Sequence, residues 1–360
     1  MTSDDDLMAA FDARAQRRAE RREFFTRAAG MAAVGGLMVS GAGRVAAQTP
    51  TPTPSPTSSP TPTGTPTPTF SDVDVLNFAL NLEYLEANFY AFAITGSAIA
   101  ADLQTGITTA GAQGAATGGR QVTFATPSIR QYAAEIAADE LAHVKFLRAT
   151  LSTLAVAQPA IDLGVTATSA FSRAAQTAGV VPAGTAFDAY ANEETFLLAA
   201  YIFEDTGVTA YKGAAPLILN KQYVEASAGI LAVEAYHAAM VRSLLFTKGI
   251  DPSRAAGALD LIGASEQISD ARDTLDGAAK LDLVLGRGPD DDQGVRPIST
   301  ADGEAANIAP LNPNGLVYTR TPQQVLNIVY LNGGAAVGTG GFFPAGMNGT
   351  IKTTAAASTT

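Results

Sequence analysis

Apolar residues recur with helical spacing in four long stretches of the chain. Ser71 or Asp72 can cap the first stretch. Apolar residues then recur on one face of this predicted helix, which should end near Gly96. The pattern predicts three further long helices, over residues 127 to about 155, about 185 to 212, and about 217 to 248. Four long helices predict an all-α fold built on a four-helix bundle.

The segments between and after these helices are less regular. Residues 101–127 are rich in Gly, Ala and Thr and predict a long loop, and 156–184 predict a connection with helical character around 171–178. Residues 251–360 predict one amphipathic helix over 321–332 and a Gly-rich tail. The sequence therefore indicates a bundle over 70–250 and an irregular C-terminal extension over 251–360 that packs on it.

The first 69 residues have the composition of a targeting segment and a spacer. Within residues 1–47, an arginine pair precedes two phenylalanines, a weakly apolar run and a small-residue cleavage site, which resembles a twin-arginine export signal. An uncleaved anchor is the alternative. Thr-Pro repeats over 48–69 predict a semi-rigid linker or stalk. We therefore expect export to the periplasm or cell envelope by the twin-arginine translocation machinery, with envelope attachment through the stalk as a further option.

Composition narrows the chemistry. The 360 residues carry a net charge of −11, which argues against nucleic acid as a partner because phosphate binding needs a basic face. The chain has no cysteine, which excludes disulfides, iron–sulfur clusters and thiolate zinc sites. Any metal must be held by oxygen and nitrogen donors, and only two histidines exist.

Both histidines follow a glutamate by three residues, as Glu140/His143 and Glu234/His237. Residues three apart on a helix project from the same face, so each pair can bind one ion. The surrounding face is apolar in both cases. An ionised carboxylate directed into an apolar core is costly unless it is paired, and a divalent metal is a strong partner.

The other two long helices each supply a glutamate followed seven residues later by a tyrosine. Glu83 precedes Tyr90, and Glu204 precedes Tyr211, so each tyrosine shares its glutamate's helix face. The tyrosines are predicted to donate hydrogen bonds that orient the ligands, with core packing as the alternative. Glu86, one turn after Glu83, could replace it or join it.

Together these residues match the ligand pattern of di-iron and di-manganese carboxylate bundles, in which two helices give one Glu each and two give Glu-x-x-His. Four carboxylates would balance two divalent ions of iron or manganese. The predicted metal ligands are Glu83, Glu140, His143, Glu204, Glu234 and His237.

Two other acidic positions are interpreted without a metal. Glu193 reads as a charge at the entry of the third helix. The run 290–292 could attract calcium, but a solvated turn is preferred because no regular ligand spacing follows it.

Residues of about 71–350 resemble the ferritin-like domain proteins typified by plant desiccation-related proteins and their bacterial relatives. The segments that carry the resemblance are 74–90, 135–144, 204–211 and 320–326. The resemblance implies a ferritin-like four-helix bundle and its dimetal site. The long loop and the extra hundred residues after the bundle depart from ferritins and would obstruct the packing of a ferritin shell.

Three functional hypotheses remain open at this point. The first is a redox enzyme acting on peroxide or dioxygen as an oxidase, a peroxidase or a catalase-like enzyme, in protection against oxidative stress. The second is a metal-binding or scavenging protein. The third is a structural protein of the envelope or of desiccation tolerance whose metal ligands serve only to stabilise the fold. A homodimer is a further option.

Overall fold

The computed structural model describes residues 70–277, 292–312 and 314–357. The predicted export signal and Thr-Pro linker lie outside these residues. Seven α-helices occur in the described part of the chain, with little strand, so the all-α prediction is confirmed. They are α1 (Asp72–Thr95), α2 (Pro127–Leu151), α3 (Ala170–Ala178), α4 (Glu193–Ala214), α5 (Lys221–Gly249), α6 (Leu261–Asp276) and α7 (Pro322–Val329).

The four long helices α1, α2, α4 and α5 form the bundle, with α1 packed along α2 and α4 packed along α5. Their ends follow local sequence signals. Ser71 and Asp74 form a capping box at the start of α1, and Gly96 ends that helix in the left-handed conformation. By length and composition alone α5 could cross a membrane, a property that the core helices of soluble proteins share.

Two helix predictions need correction. The third long helix begins at Glu193 and not near Thr185, because Asn192 caps it with hydrogen bonds to the amides of Glu194 and Thr195. The helix α6 was missed, because its sequence is polar and only a narrow apolar stripe faces the protein. Glu193 does lie at the helix entry, where it forms an ion pair of 2.6 Å with Lys248.

The connections contain two small sheets. The parallel pair joins β1 (Ala116–Thr117) to β2 (Ile161–Asp162), and the antiparallel pair joins β3 (Ile298–Thr300) to β4 (Gly303–Ala305). The predicted loop over 101–127 lies against the segment after α2. A Cβ at Gly106 would collide with the backbone of Val156 and Ala157, so only glycine permits this approach.

Three buried arginines join the C-terminal extension to α4. Arg242 lies 2.7 Å from Asp205, and Arg272 lies 3.2 Å from Asp205 and 2.6 Å from Asp292. Arg320 lies 2.7 Å from Asp292. Asp276, which pairs with Arg320, brings the group to three arginines and three aspartates. The buried positive and negative charges therefore balance, which limits the cost of burying them. We call the group the Arg–Asp cluster: Asp205, Arg242, Arg272, Asp276, Asp292 and Arg320.

The Arg–Asp cluster also corrects the interpretation of the acidic run 290–292 as a solvated turn. The side chain of Asp292 is fully buried and accepts hydrogen bonds from Arg272 and Arg320. A solvated turn would leave such a carboxylate exposed. The other two residues of the run lie outside the described part of the chain.

Candidate metal centre

The six predicted ligands come together inside the bundle, and all of them are buried. The helices α1 and α4 supply one glutamate each, while α2 and α5 supply one Glu-x-x-His pair each. The six residues, which could hold metal ions, are Glu83, Glu140, His143, Glu204, Glu234 and His237.

The ligand atoms form two overlapping groups. One contains Glu83, Glu140, His143 and Glu234, the other Glu140, Glu204 and His237, and within each group the ligand atoms lie within 4.8 Å of one another. Glu140 belongs to both. Its Oε2 lies 3.2 Å from Nδ1 of His143, and its Oε1 lies 2.8 Å from Nδ1 of His237. Glu140 is therefore placed to bridge two ions.

Several polar atoms of this cluster are buried without a well-aligned hydrogen bond, although some of them lie close to one another. A buried donor or acceptor left unpaired costs roughly 1–3 kcal/mol, so native structures rarely keep such atoms. Here they converge on one another, and ions bound between them would satisfy them. Carboxylate and imidazole donors suit iron, manganese and zinc, so the residues present fit a dimetal site. The atoms without a well-aligned hydrogen bond are Oε1 of Glu140, Oε2 of Glu204, both carboxylate oxygens of Glu234 and Nδ1 of His237.

The two tyrosines donate across the bundle. The hydroxyl of Tyr90 donates to Glu204, and the hydroxyl of Tyr211 donates to Glu83. These contacts show that α1 and α4 run antiparallel at the site. The predicted role as ligand-orienting donors fits this geometry, but each tyrosine holds the glutamate of the other helix, not the one on its own face.

Asp139 is a site residue that the sequence analysis missed. Its Oδ2 lies 3.4 Å from Nε2 of His237, while Nδ1 of the same ring faces Glu140. A carboxylate behind a metal-binding histidine fixes the ring's orientation and tautomer. No sequence signal separates Asp139 from an ordinary surface charge, because it directly precedes Glu140 and pairs with a residue on another helix.

Glu86 lies near the site but outside both ligand groups. Its side chain is buried, and no hydrogen-bond or ion-pair partner for it occurs among the described residues. The structure thus places Glu83, and not Glu86, with the other ligand atoms.

Burial and mutual repulsion govern the titration of the cluster. Burial raises the pKa of Glu83 to about 7, although His143 acts in the opposite direction. Burial and then the neighbouring carboxylates raise the pKa of Glu234 well above its usual range. Burial alone would raise the pKa of Glu140, but the two histidines bring it below the usual range. Without ions the cluster therefore retains protons, which bound cations would displace.

The site opens toward solvent on one side. The side chains of His143 and Asp139 are each 10% exposed, whereas those of the other ligands are at most 2% exposed. Near Tyr90 the wall is aromatic, with Phe196 at a centroid distance of 5.7 Å from it and Phe89 at 5.0 Å. Such a wall excludes water from the part of the site beside Tyr90.

Gly207 on α4 provides the space into which Glu234 extends. A Cβ at this position would collide with Oε2 of Glu234 and lie 3.4 Å from Oε1 of Glu86. Glycine inside a helix is disfavoured by about 1 kcal/mol relative to alanine. The centre therefore needs this glycine for space and not for backbone conformation.

Replacing Gly207 with alanine should weaken metal binding about tenfold, because the added methyl group displaces a ligand carboxylate. Competition with a chromogenic chelator would measure this affinity. Gly229→Ala on α5 is the matched control, since a Cβ there meets nothing within 4 Å. Equal metal affinity in the Gly207→Ala and Gly229→Ala variants would contradict this role.

Comparisons with known proteins agree with this geometry. A family model described as a ferritin-like domain matches residues 71–247. The chain is 31% identical over 257 residues to desiccation-related protein PCC13-62 of Craterostigma plantagineum, covering 71% of this chain and 76% of the relative. It is 27% identical over 290 residues to ferritin-like catalase Nec2 of Nesocodon mauritianus, covering 78% and 85%.

The alignments with both relatives are longer than the family match, so the similarity is not confined to the bundle. The ferritin-like fold that the sequence predicts is confirmed. The chain belongs to the family of ferritin-like domain proteins that includes desiccation-related protein PCC13-62.

Proposed function

We propose that the chain is an exported dimetal-carboxylate protein that consumes hydrogen peroxide. The observation that carries this proposal is the set of buried and convergent atoms on Glu140, Glu204, Glu234 and His237 that lack a well-aligned hydrogen bond. They form a site that needs cations and is too enclosed for a large substrate. The similarity to a protein named as a ferritin-like catalase supports peroxide as the substrate.

Two ions of iron or manganese held by the six ligands would supply a two-electron redox couple. The protein's own contribution lies in positioning. Tyr90 and Tyr211 hold the carboxylates of Glu204 and Glu83 by hydrogen bonds, and burial raises the pKa of both hydroxyls well above the usual range. Both tyrosines therefore remain protonated donors at any physiological pH.

The location and partners of the protein are part of the same proposal. A twin-arginine signal over residues 1–47 would deliver the protein to the periplasm or envelope through the translocation machinery. That route suits a protein that folds around its metal before export. The Thr-Pro segment over 48–69 would serve as a stalk, and a homodimer is compatible with the bundle.

The test is metal content and peroxide turnover of the full chain, produced in a host that exports it and purified without chelator. We expect about two ions of iron or manganese per chain, as in other dimetal carboxylate bundles, and oxygen evolution from hydrogen peroxide that requires those ions. Elemental analysis by mass spectrometry and an oxygen electrode provide the readouts. A folded protein that takes up neither metal would exclude the dimetal function.

A metal-binding role without turnover is the second candidate, favoured by the similarity to a desiccation-related protein. In that case the ions would stabilise the fold, because a ligand that binds only the native state raises the free energy of unfolding. The same preparation separates the two functions. Two bound ions with a raised melting temperature and no oxygen evolution would support metal binding that only stabilises the fold.

A further inference from the structure

A small cavity lies behind the metal centre, between α1, α4 and α7. It has room for about one water-sized molecule. Its wall is almost entirely apolar, and the helix α7 of the C-terminal extension closes one side with Ile328 and Val329. The helices α1 and α4 form the rest of the wall, with Glu86 on α1 and Thr206 and Gly207 on α4.

Glu86 is the charged side chain in this wall. Only 5% of the residue is exposed, and its carboxyl group has no hydrogen-bond partner among the described residues. The hydroxyl of Thr206, the other polar side chain of the wall, already donates to the carbonyl of Ile202 at 2.7 Å. A buried carboxyl group without a partner is costly, and a molecule in the cavity would supply one.

The cavity meets the metal centre at Gly207. A Cβ at this position would collide with Oε2 of Glu234 and would lie 3.4 Å from Oε1 of Glu86. Because Gly207 has no Cβ, the carboxylate of Glu234 and the carboxyl group of Glu86 can both approach this position. A molecule bound to Glu86 would therefore lie beside the ligand groups.

We propose that this cavity is a binding site for one small neutral hydroxylic molecule, water or hydrogen peroxide, held by Glu86 next to the dimetal centre. The small volume excludes an extended ligand, and the apolar walls disfavour an ion. Peroxide as an occupant rests on the proposed function, whereas water does not. Glu86 is thus a positioning residue for substrate and not a seventh metal ligand.

A crystal structure of the metal-loaded wild type and its Val329→Phe variant tests the binding site directly. We expect an ordered solvent peak within about 3.2 Å of the Glu86 carboxyl group in the wild type, and its loss when phenylalanine fills the cavity. In the variant the KM for peroxide should rise about tenfold with a smaller change in kcat, and two ions should remain bound. Absence of the solvent peak from the wild type would overturn the proposal, and an unchanged KM in a folded Val329→Phe protein that has lost the peak would overturn peroxide as the occupant.

Ala271→Leu is the matched control for overpacking. It fills the neighbouring cavity between α3, α6 and α7, which does not reach Glu86. We expect it to leave the solvent peak and the KM for peroxide unchanged. An equal rise of KM in both variants would show a general effect of packing and would overturn the proposal.

Two variants of Glu86 give a second test that does not depend on overpacking. Glu86→Gln keeps the size and hydrogen-bonding capacity, so it should keep the solvent peak, whereas Glu86→Leu should lose it. Both should bind two ions. Loss of an ion from both variants would make Glu86 a metal ligand and refute the proposal.

The crystal structure tests the binding site independently of the proposed peroxide function. If the loaded wild type shows the solvent peak but does not turn over peroxide, the peroxide function fails and the cavity holds water. If it turns over peroxide but shows no peak beside Glu86, the function stands and the binding site is wrong.

Discussion

Replacing Glu140 with alanine should remove both metal ions, whereas replacing Glu83 or Glu204 with alanine should remove only one. The reason is geometric: one oxygen of Glu140 faces His143 at 3.2 Å and the other faces His237 at 2.8 Å. We expect the metal content to fall from about two ions per chain to nearly none in Glu140→Ala, and to about one in Glu83→Ala or Glu204→Ala. Peroxide turnover should be lost in all three variants.

Elemental analysis after gel filtration measures this difference. Glu225→Ala, an exposed position on α5, is the control and should keep both ions. Circular dichroism and melting temperature would establish that each variant is folded. Retention of one ion by a folded Glu140→Ala protein would mean that the two ligand groups act separately and that Glu140 does not bridge them.

The second large effect is expected on stability, outside the metal centre. Asp292→Asn should lower the free energy of unfolding by about 3 kcal/mol, because it leaves Arg272 and Arg320 buried with too little negative charge. Urea unfolding at neutral pH measures the change. The matched control is Asp302→Asn, on an exposed turn of the same extension, which should change stability by less than about 0.5 kcal/mol.

The same substitution has a defined pH dependence. Burial alone would raise the pKa of Asp292, but Arg272 and Arg320 bring it below its ordinary value of 3.8. A carboxylate whose pKa is lowered on folding stabilises the protein above its unfolded pKa, and this contribution is lost as the pH falls through the folded pKa. The stability difference between wild type and Asp292→Asn should therefore be constant near neutral pH and shrink below about pH 4. A constant difference down to pH 2 would contradict the ion-pair explanation.

The sequence was informative about the metal centre because its ligands follow helical spacing. Two glutamates placed three residues before the only two histidines limit the choice of partners, and helical geometry then fixes the face. Spacing does not fix which neighbouring helix a face meets. For this reason the shared faces of Glu83 with Tyr90 and of Glu204 with Tyr211 were predicted, but the exchange of hydrogen bonds between α1 and α4 was not.

Long-range pairs account for most of what the sequence could not predict. Arg320 meets Thr209 and Asp292, which are 111 and 28 positions away, and no local pattern encodes such distances. Asp139 and Gly207 are inconspicuous for the same reason, since each acts on a residue of a different helix. The helix α6 was not predicted because its sequence is polar, and its charged residues include Arg272, a member of the Arg–Asp cluster.

The burial of α4 on all sides limits how the protein can change. From Phe196 to Tyr211 every residue is buried. Glu204, Gly207 and Tyr211 lie at the candidate metal centre, while Tyr201, Asp205 and Thr209 contact the arginines of the Arg–Asp cluster. A saturation library should therefore find almost no tolerated substitution in this stretch, whereas the exposed faces of α2 and α5 accept many. Evolutionary change in this protein would therefore have to begin outside α4 and leave that helix as it is.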